Sequence, residues 1–196
     1  MLRIVVTAAL ALAPQSAGAC PAELGGGIVV SASDGGTARI TATETPGVFR
    51  ERVTFDNVPG YAMLSHYGIY ALATVDFDGT DEYPDSGETV AYGAPPPAPE
   101  PGQRIEGLIG VVDRVGLPMM RRHDLTAGPL GEVVIGGCSY AGFPLSLAIE
   151  DDDGPRELSL VFVTALGLAL FTGYRDAEGA ESYELLSIAP LTEAAP

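Results

Sequence analysis

The sequence predicts an all-β fold, an antiparallel sandwich or barrel-like arrangement, on three observations. Short segments rich in β-branched, aromatic and aliphatic residues recur along the chain, and Gly, Asp and Pro turn signals separate them. No window beyond the first nineteen residues carries a helical stripe. In the first half the strands are expected at Gly27–Ser33, Thr37–Thr43, Val48–Phe55, Tyr61–Ser65, Ile69–Phe77 and Glu88–Tyr92. In the second half they are expected at Arg104–Val112, Met119–Leu125, Glu132–Ile135, Leu145–Glu150, Glu157–Thr164, Leu168–Tyr174 and Ser182–Ile188. Asp34-Gly35, Pro46-Gly47, Pro59-Gly60, Asp78-Gly79, Asp153-Gly154 and Glu178-Gly179 supply the turns, because glycine tolerates the positive φ that tight turns need. Leu158–Phe171 is apolar enough to resemble a membrane segment but is too short and is split by Gly167, so it reads as two buried central strands around a tight turn.

Ala94–Gly102 (APPPAPEPG) is a proline-rich connector that favours an extended, semi-rigid backbone. It divides the chain into an expected N-terminal β-module, 20–93, and a C-terminal one, 103–190, followed by a disordered tail at 191–196. The halves share a weak pattern. Cys20 and Cys138 each precede an Asp-Gly turn by the same distance, and each half holds an aliphatic-flanked glycine, Tyr67-Gly68-Ile69 and Leu166-Gly167-Leu168. Two similar β-modules joined by a spacer would carry that pattern.

Residues 1–19 read as an export signal: Arg3, then the apolar run Ile4 to Ala13, then the small residues Ala17-Gly18-Ala19 before Cys20. The run is shorter than a transmembrane helix requires, so no transmembrane segment is expected. A periplasmic or secreted location follows, where cysteines oxidise. Cys20 and Cys138 are the two cysteines of the chain, and a disulfide between them accounts for both. The alternative is a lipid anchor on Cys20. Ala17-Gly18-Ala19-Cys20 looks like a lipobox with Ala in the usual Leu position, which would leave Cys138 as a lone thiol.

The chain has 26 acidic and 10 basic residues, a formal charge of −16, and every basic residue is Arg. Without lysine, P-loop, Schiff-base and Ser-Lys chemistries are excluded. The negative surface repels phosphate backbones, which disfavours nucleic acid and favours cations and basic partners.

No complete catalytic constellation emerges. Gly137-Cys138-Ser139-Tyr140-Ala141 approximates the nucleophile-elbow motif, but no helix follows it to support an oxyanion. His66 and His123 are isolated and are expected at the surface or rim with local hydrogen bonds. A Ser139–His123–Asp124 arrangement would need to be assembled by folding. Arg121-Arg122 is the one cluster of positive charge, and on a strand its two side chains point to opposite faces. Asp76–Glu82 and Glu150–Asp153 have the oxygen density Ca²⁺ prefers, without an EF-hand register. No haem, nucleotide or zinc motif appears, and no cofactor is expected.

The signal, the Cys near the mature N-terminus, the Gly-Gly-Cys-Ser-Tyr stretch at 136–140 and the Leu166-Gly167-Leu168 hairpin together resemble small exported β-proteins of the envelope of GC-rich Gram-negative bacteria. That resemblance implies a cell-envelope location and no activity. The expected function is a non-enzymatic binding or scaffolding module that holds an envelope protein or a small ligand. The alternatives are a hydrolase using Ser139 or a carboxylate pair, and a Ca²⁺-stabilised module.

Overall fold

The computed structural model describes residues 20–56, 59–78, 81–114 and 116–192. The expected signal at 1–19, and residues 193–196 of the expected tail, lie outside the described residues. Among the described residues no helix is long and apolar enough to cross a membrane.

The chain is all-β. Its strands are β1 (Ile28–Ala32), β2 (Thr37–Ala42), β3 (Val48–Thr54), β4 (Gly60–His66), β5 (Tyr70–Phe77), β6 (Glu82–Tyr92) and β7 (Arg104–Arg114). They continue as β8 (Leu117–Ala127), β9 (Gly131–Ile135), β10 (Cys138–Asp151), β11 (Gly154–Val163), β12 (Leu168–Arg175), β13 (Ala180–Ser182) and β14 (Leu185–Pro190). Every one of the segments expected above holds a strand. The last of them divides in two, with β13 pairing β12 and β14 pairing β1.

One antiparallel sheet runs in the order β13-β12-β11-β10-β8-β7-β6-β5-β4-β3-β2-β1-β14, with β9 attached to β10. Almost every neighbour is the next strand in sequence, so hairpins build the sheet. It is not closed by hydrogen bonds into a barrel. Its two end strands are nonetheless consecutive in the chain, linked by Tyr183 and Glu184, whose backbones bond to Thr172 on β12 and Ser33 after β1. The twist natural to strands curls such a sheet until its ends meet.

Two segments differ from the expected strands. β10 is fourteen residues long, beginning at Cys138, well before the strand expected from Leu145. Its first part pairs β9 and its later part pairs β8, while β11 runs along the other edge. Pro144 falls at the switch of partners, where no ladder hydrogen bond to β8 or β9 is needed from its nitrogen. β6 starts at Glu82, earlier than expected, through a register shift against β5.

Two apolar clusters line the inside of the curled sheet. One joins Ile28 and Val30 of β1 and Ile40 of β2 to Ile135, Tyr140, Val163 and Leu168. The other joins Ile69 and Tyr70 to Leu125, Leu145, Leu147 and Phe162. Each draws residues from both expected modules, and β6 pairs β7 across the connector, so 20–93 and 103–190 pack as one body around shared cores. Within the connector Pro96 and Pro99 are buried and their neighbours exposed, the threefold spacing of a polyproline helix laid on a surface.

The glycine hairpins close one end. Tyr67 and Gly68, both at positive φ, turn β4 into β5, and the Tyr67 carbonyl accepts a hydrogen bond from Ala169 N at 2.8 Å. A Cβ on Gly68 would stand 2.3 Å from the Ala169 carbonyl oxygen, so glycine is required for this contact. Cys20 and Cys138 are joined with 2.07 Å between sulfurs and 5.6 Å between Cα atoms. The bond ties the segment leading into β1 to the start of β10.

Candidate functional site

The curled sheet leaves a hollow of about 710 Å³ between its walls. Period-two alternation decides what faces it. On β3, Arg50 and Arg52 point outward to Glu82, at 3.4 and 2.7 Å, and Arg52 also covers the Phe77 ring. Glu51 and Val53 therefore point inward. Glu51 stands opposite Ile40 on β2 and Met63 on β4, and Val53 stands opposite Ala38 and Tyr61. The facing wall comes from Ile149, Leu158, Leu160 and Leu170. The hollow reaches the surface beside Asp34, an exposed residue of the turn after β1. A mostly apolar cavity of this size with a few polar groups is the usual form of a small-molecule site.

Glu51 is the unusual residue here. It is half-buried and lines the hollow. Among the described residues none hydrogen-bonds or ion-pairs with it. Burial alone raises its pKa from 4.5 to about 7. Burial, then the charges of Glu51 and Asp34, also push up the neighbouring Tyr61 phenol.

The raised acid has a stability consequence. Between pH 4.5 and about 7 the folded chain keeps a proton that the unfolded chain has lost, so stability falls as pH rises through that window. Glu51→Gln is expected to be more stable than the parent at pH 8 by on the order of 3 kcal/mol and nearly equal to it at pH 4.5. Urea melts at the two pH values measure this; equal stability at pH 8 would contradict the enclosed carboxyl.

The opposite rim is polar and internally paired. Arg121, 5% exposed, donates to Glu88 through both terminal nitrogens at 2.6 and 3.1 Å, and to Asp151 through Nε at 2.7 Å. Arg156 donates to both oxygens of Asp151, at 3.1 and 2.8 Å, and Arg114 reaches Glu88 at 3.1 Å and Asp153 at 3.3 Å. Burial pushes Glu88 and Asp151 up, but hydrogen bonds from the arginines outweigh it and hold both below the ordinary carboxylate range. Arg121 lies between the cavity and an outer polar hollow of about 470 Å³, so it is closed to solvent by area yet thinly covered by atoms.

His123 corrects the expected surface position. It is 3% exposed and faces the cavity, with its ring against Tyr70 and Tyr92 at centroid distances of 6.1 and 5.7 Å. Desolvation, then the Arg121 charge, lowers its pKa to about 4 against a hydrogen bond to the Leu108 backbone, so it is neutral at pH 7. Asp124 is on the other face, bonded to Arg122 and to Gly107 N. Ser139 is exposed on β10 and donates to Glu132. The structure thus does not assemble Ser139, His123 and Asp124 into a triad. His66 is half-buried at the end of β4 beside Tyr67.

The acidic segments are engaged by the protein itself. Asp78 accepts from Tyr83 Oη at 2.5 Å and from Asp81 N at 2.9 Å, while Asp151 and Asp153 are held by arginines. Among the described residues no group of three or more His, Cys, Asp or Glu side chains is placed to hold a metal ion.

Sequence reasoning passed over Glu51, although Phe49-Arg50-Glu51-Arg52-Val53 carries the signal: its parity is that of the apolar residues. Arg121 and His123 likewise share parity with Leu125 and Ala127. Comparison with protein-family models, curated proteins and solved structures finds no match for this chain.

Proposed function

We propose that this chain is an exported, non-enzymatic binding protein of the cell envelope that takes a small, largely apolar molecule into the hollow of its curled sheet. The cavity carries the reading. About 710 Å³ lined by aliphatic and aromatic side chains is space that folding alone would fill, since protein interiors pack close to crystal density. Leaving it open forfeits contacts, and a ligand restores them. The disulfide, the acidic composition and the expected signal support a location outside the cytoplasm.

The test is an environment-sensitive neutral probe, N-phenyl-1-naphthylamine, titrated against the protein. Saturable binding near one probe per chain is expected. Ala38→Phe, which places a ring in the cavity from β2, is expected to weaken it at least about tenfold with no loss of melting temperature. Val53→Phe serves as an independent filler should Ala38→Phe not fold. Unsaturable fluorescence, or equal affinity in parent and filled variants, would end the proposal.

A further inference from the structure

We infer that the molecule held in the cavity is an organic cation, an apolar body bearing an ammonium or similar positive head that pairs with the Glu51 carboxylate. The inference rests on the cavity being the binding site and goes beyond it by naming the charge of the ligand.

Three observations point the same way. First, Glu51 projects from the middle of β3 into the hollow between Ile40 and Met63, and no side chain among the described residues answers it. A carboxyl enclosed by aliphatic groups is costly to ionise, and a glutamine or an apolar residue there would stabilise the fold. The position makes physical sense if a positive group arrives with the ligand and supplies the opposite charge.

Second, the positive groups that line the same cavity are already committed. Arg121 is paired with Glu88 and Asp151, and Arg156 with Asp151, so each guanidinium at the far rim already has a carboxylate partner. Third, the chain carries a formal charge of −16, and Asp34 stands at the cavity mouth. That field concentrates cations at the opening and repels carboxylates.

The groups that face Glu51 are few. On the adjoining strand Tyr61 adds a phenol, and Asp34 adds a negative charge from the turn after β1. Across the hollow stand the paired Arg121 and Arg156, the neutral His123 and the phenols Tyr174 and Tyr183, the last donating to Glu181. None of these supplies an uncommitted positive charge. A bound cation therefore favours the ionised form of Glu51, and below neutral pH binding must displace its proton.

The experiment compares three probes of one chain length: decyltrimethylammonium, decanol and decanoate. Each competes against N-phenyl-1-naphthylamine in the parent and in Glu51→Gln. The quaternary head cannot lose its charge, so any pH dependence belongs to the protein. Decyltrimethylammonium is expected to bind the parent most tightly, and its affinity to rise about tenfold from pH 6 to pH 8. In Glu51→Gln its affinity is expected to fall at least about tenfold and become flat with pH, while decanol changes by less than about twofold.

Decanol binding as well as the cation, or a cation affinity unmoved by Glu51→Gln, would overturn the inference and leave the apolar cavity standing. Preference for decanoate would overturn it in favour of an anion at the arginine rim. Failure of the neutral dye and of all three probes to bind would remove the cavity reading itself.

Discussion

Replacing Cys138 with serine, or reducing its bond to Cys20, is expected to cost about 4–5 kcal/mol of stability on the chain-entropy model, an upper figure. The bond spans 118 positions and so restricts the unfolded chain over more than half its length. It also fixes a segment that few other contacts hold. Before β1 the segment is held by Leu24 in the core, by buried Pro21 and by two backbone bonds, Gly27 N to the Leu24 carbonyl and Leu191 N to the Gly27 carbonyl. Guanidinium melts with and without reductant, each with Cys20→Ser/Cys138→Ser as the reference, give the difference directly. If the double variant and the reduced parent melt together, well below the oxidised parent, the covalent tie is the cause. Equal midpoints for all three would show that the tie contributes nothing.

Arg121→Met should be nearly as damaging, about 3–5 kcal/mol at pH 7. The guanidinium satisfies Glu88 from two nitrogens and Asp151 from a third, and the Asp151 side chain has no accessible surface. Removing the arginine leaves the Glu88 and Asp151 carboxylates facing each other without the group between them. Arg156 and Arg114 remain, which places the loss below that of an isolated buried charge. The pH dependence follows from the sign of the shifts. Both acids are held below their ordinary range, so the network stabilises the fold above that range and the contribution fades as pH falls through the folded-state values. The deficit of Arg121→Met should therefore shrink at acid pH. A deficit equally large at pH 3 and pH 7 would locate the damage in lost packing by the arginine stem instead.

The strands were legible because short β-rich segments alternate with turn residues, and that local signal suffices when hairpins build the sheet. The failures were also local. At Gly142-Phe143-Pro144 the punctuation is real, yet it marks a change of partner inside β10 and does not break the strand. The equivalence of Tyr67-Gly68-Ile69 and Leu166-Gly167-Leu168 suggested separate modules, whereas the first turn packs directly on the strand that follows the second.

The site was less legible for a physical reason. A cavity is missing volume, and no residue encodes it by itself. What could be read was which face each side chain takes, and on β3 and β8 a charged or titratable residue in the inward register was the available sign. Charges on strands usually mark the solvent face, and Glu51 lies between two arginines, so the parity it shares with Phe49 and Val53 is the one local sign that it turns inward.

The pairing of β14 with β1 has a consequence for the order of events in folding. Nearly every other strand can zip to its predecessor as soon as both exist, at small loop-closure cost. The seam between β1 and β14 must wait for Leu185–Pro190, since it pairs Ile28 with Pro190, far apart along the chain. Until that late step the outer side of β1 is a bare margin, and a truncation before Leu185 would leave it so.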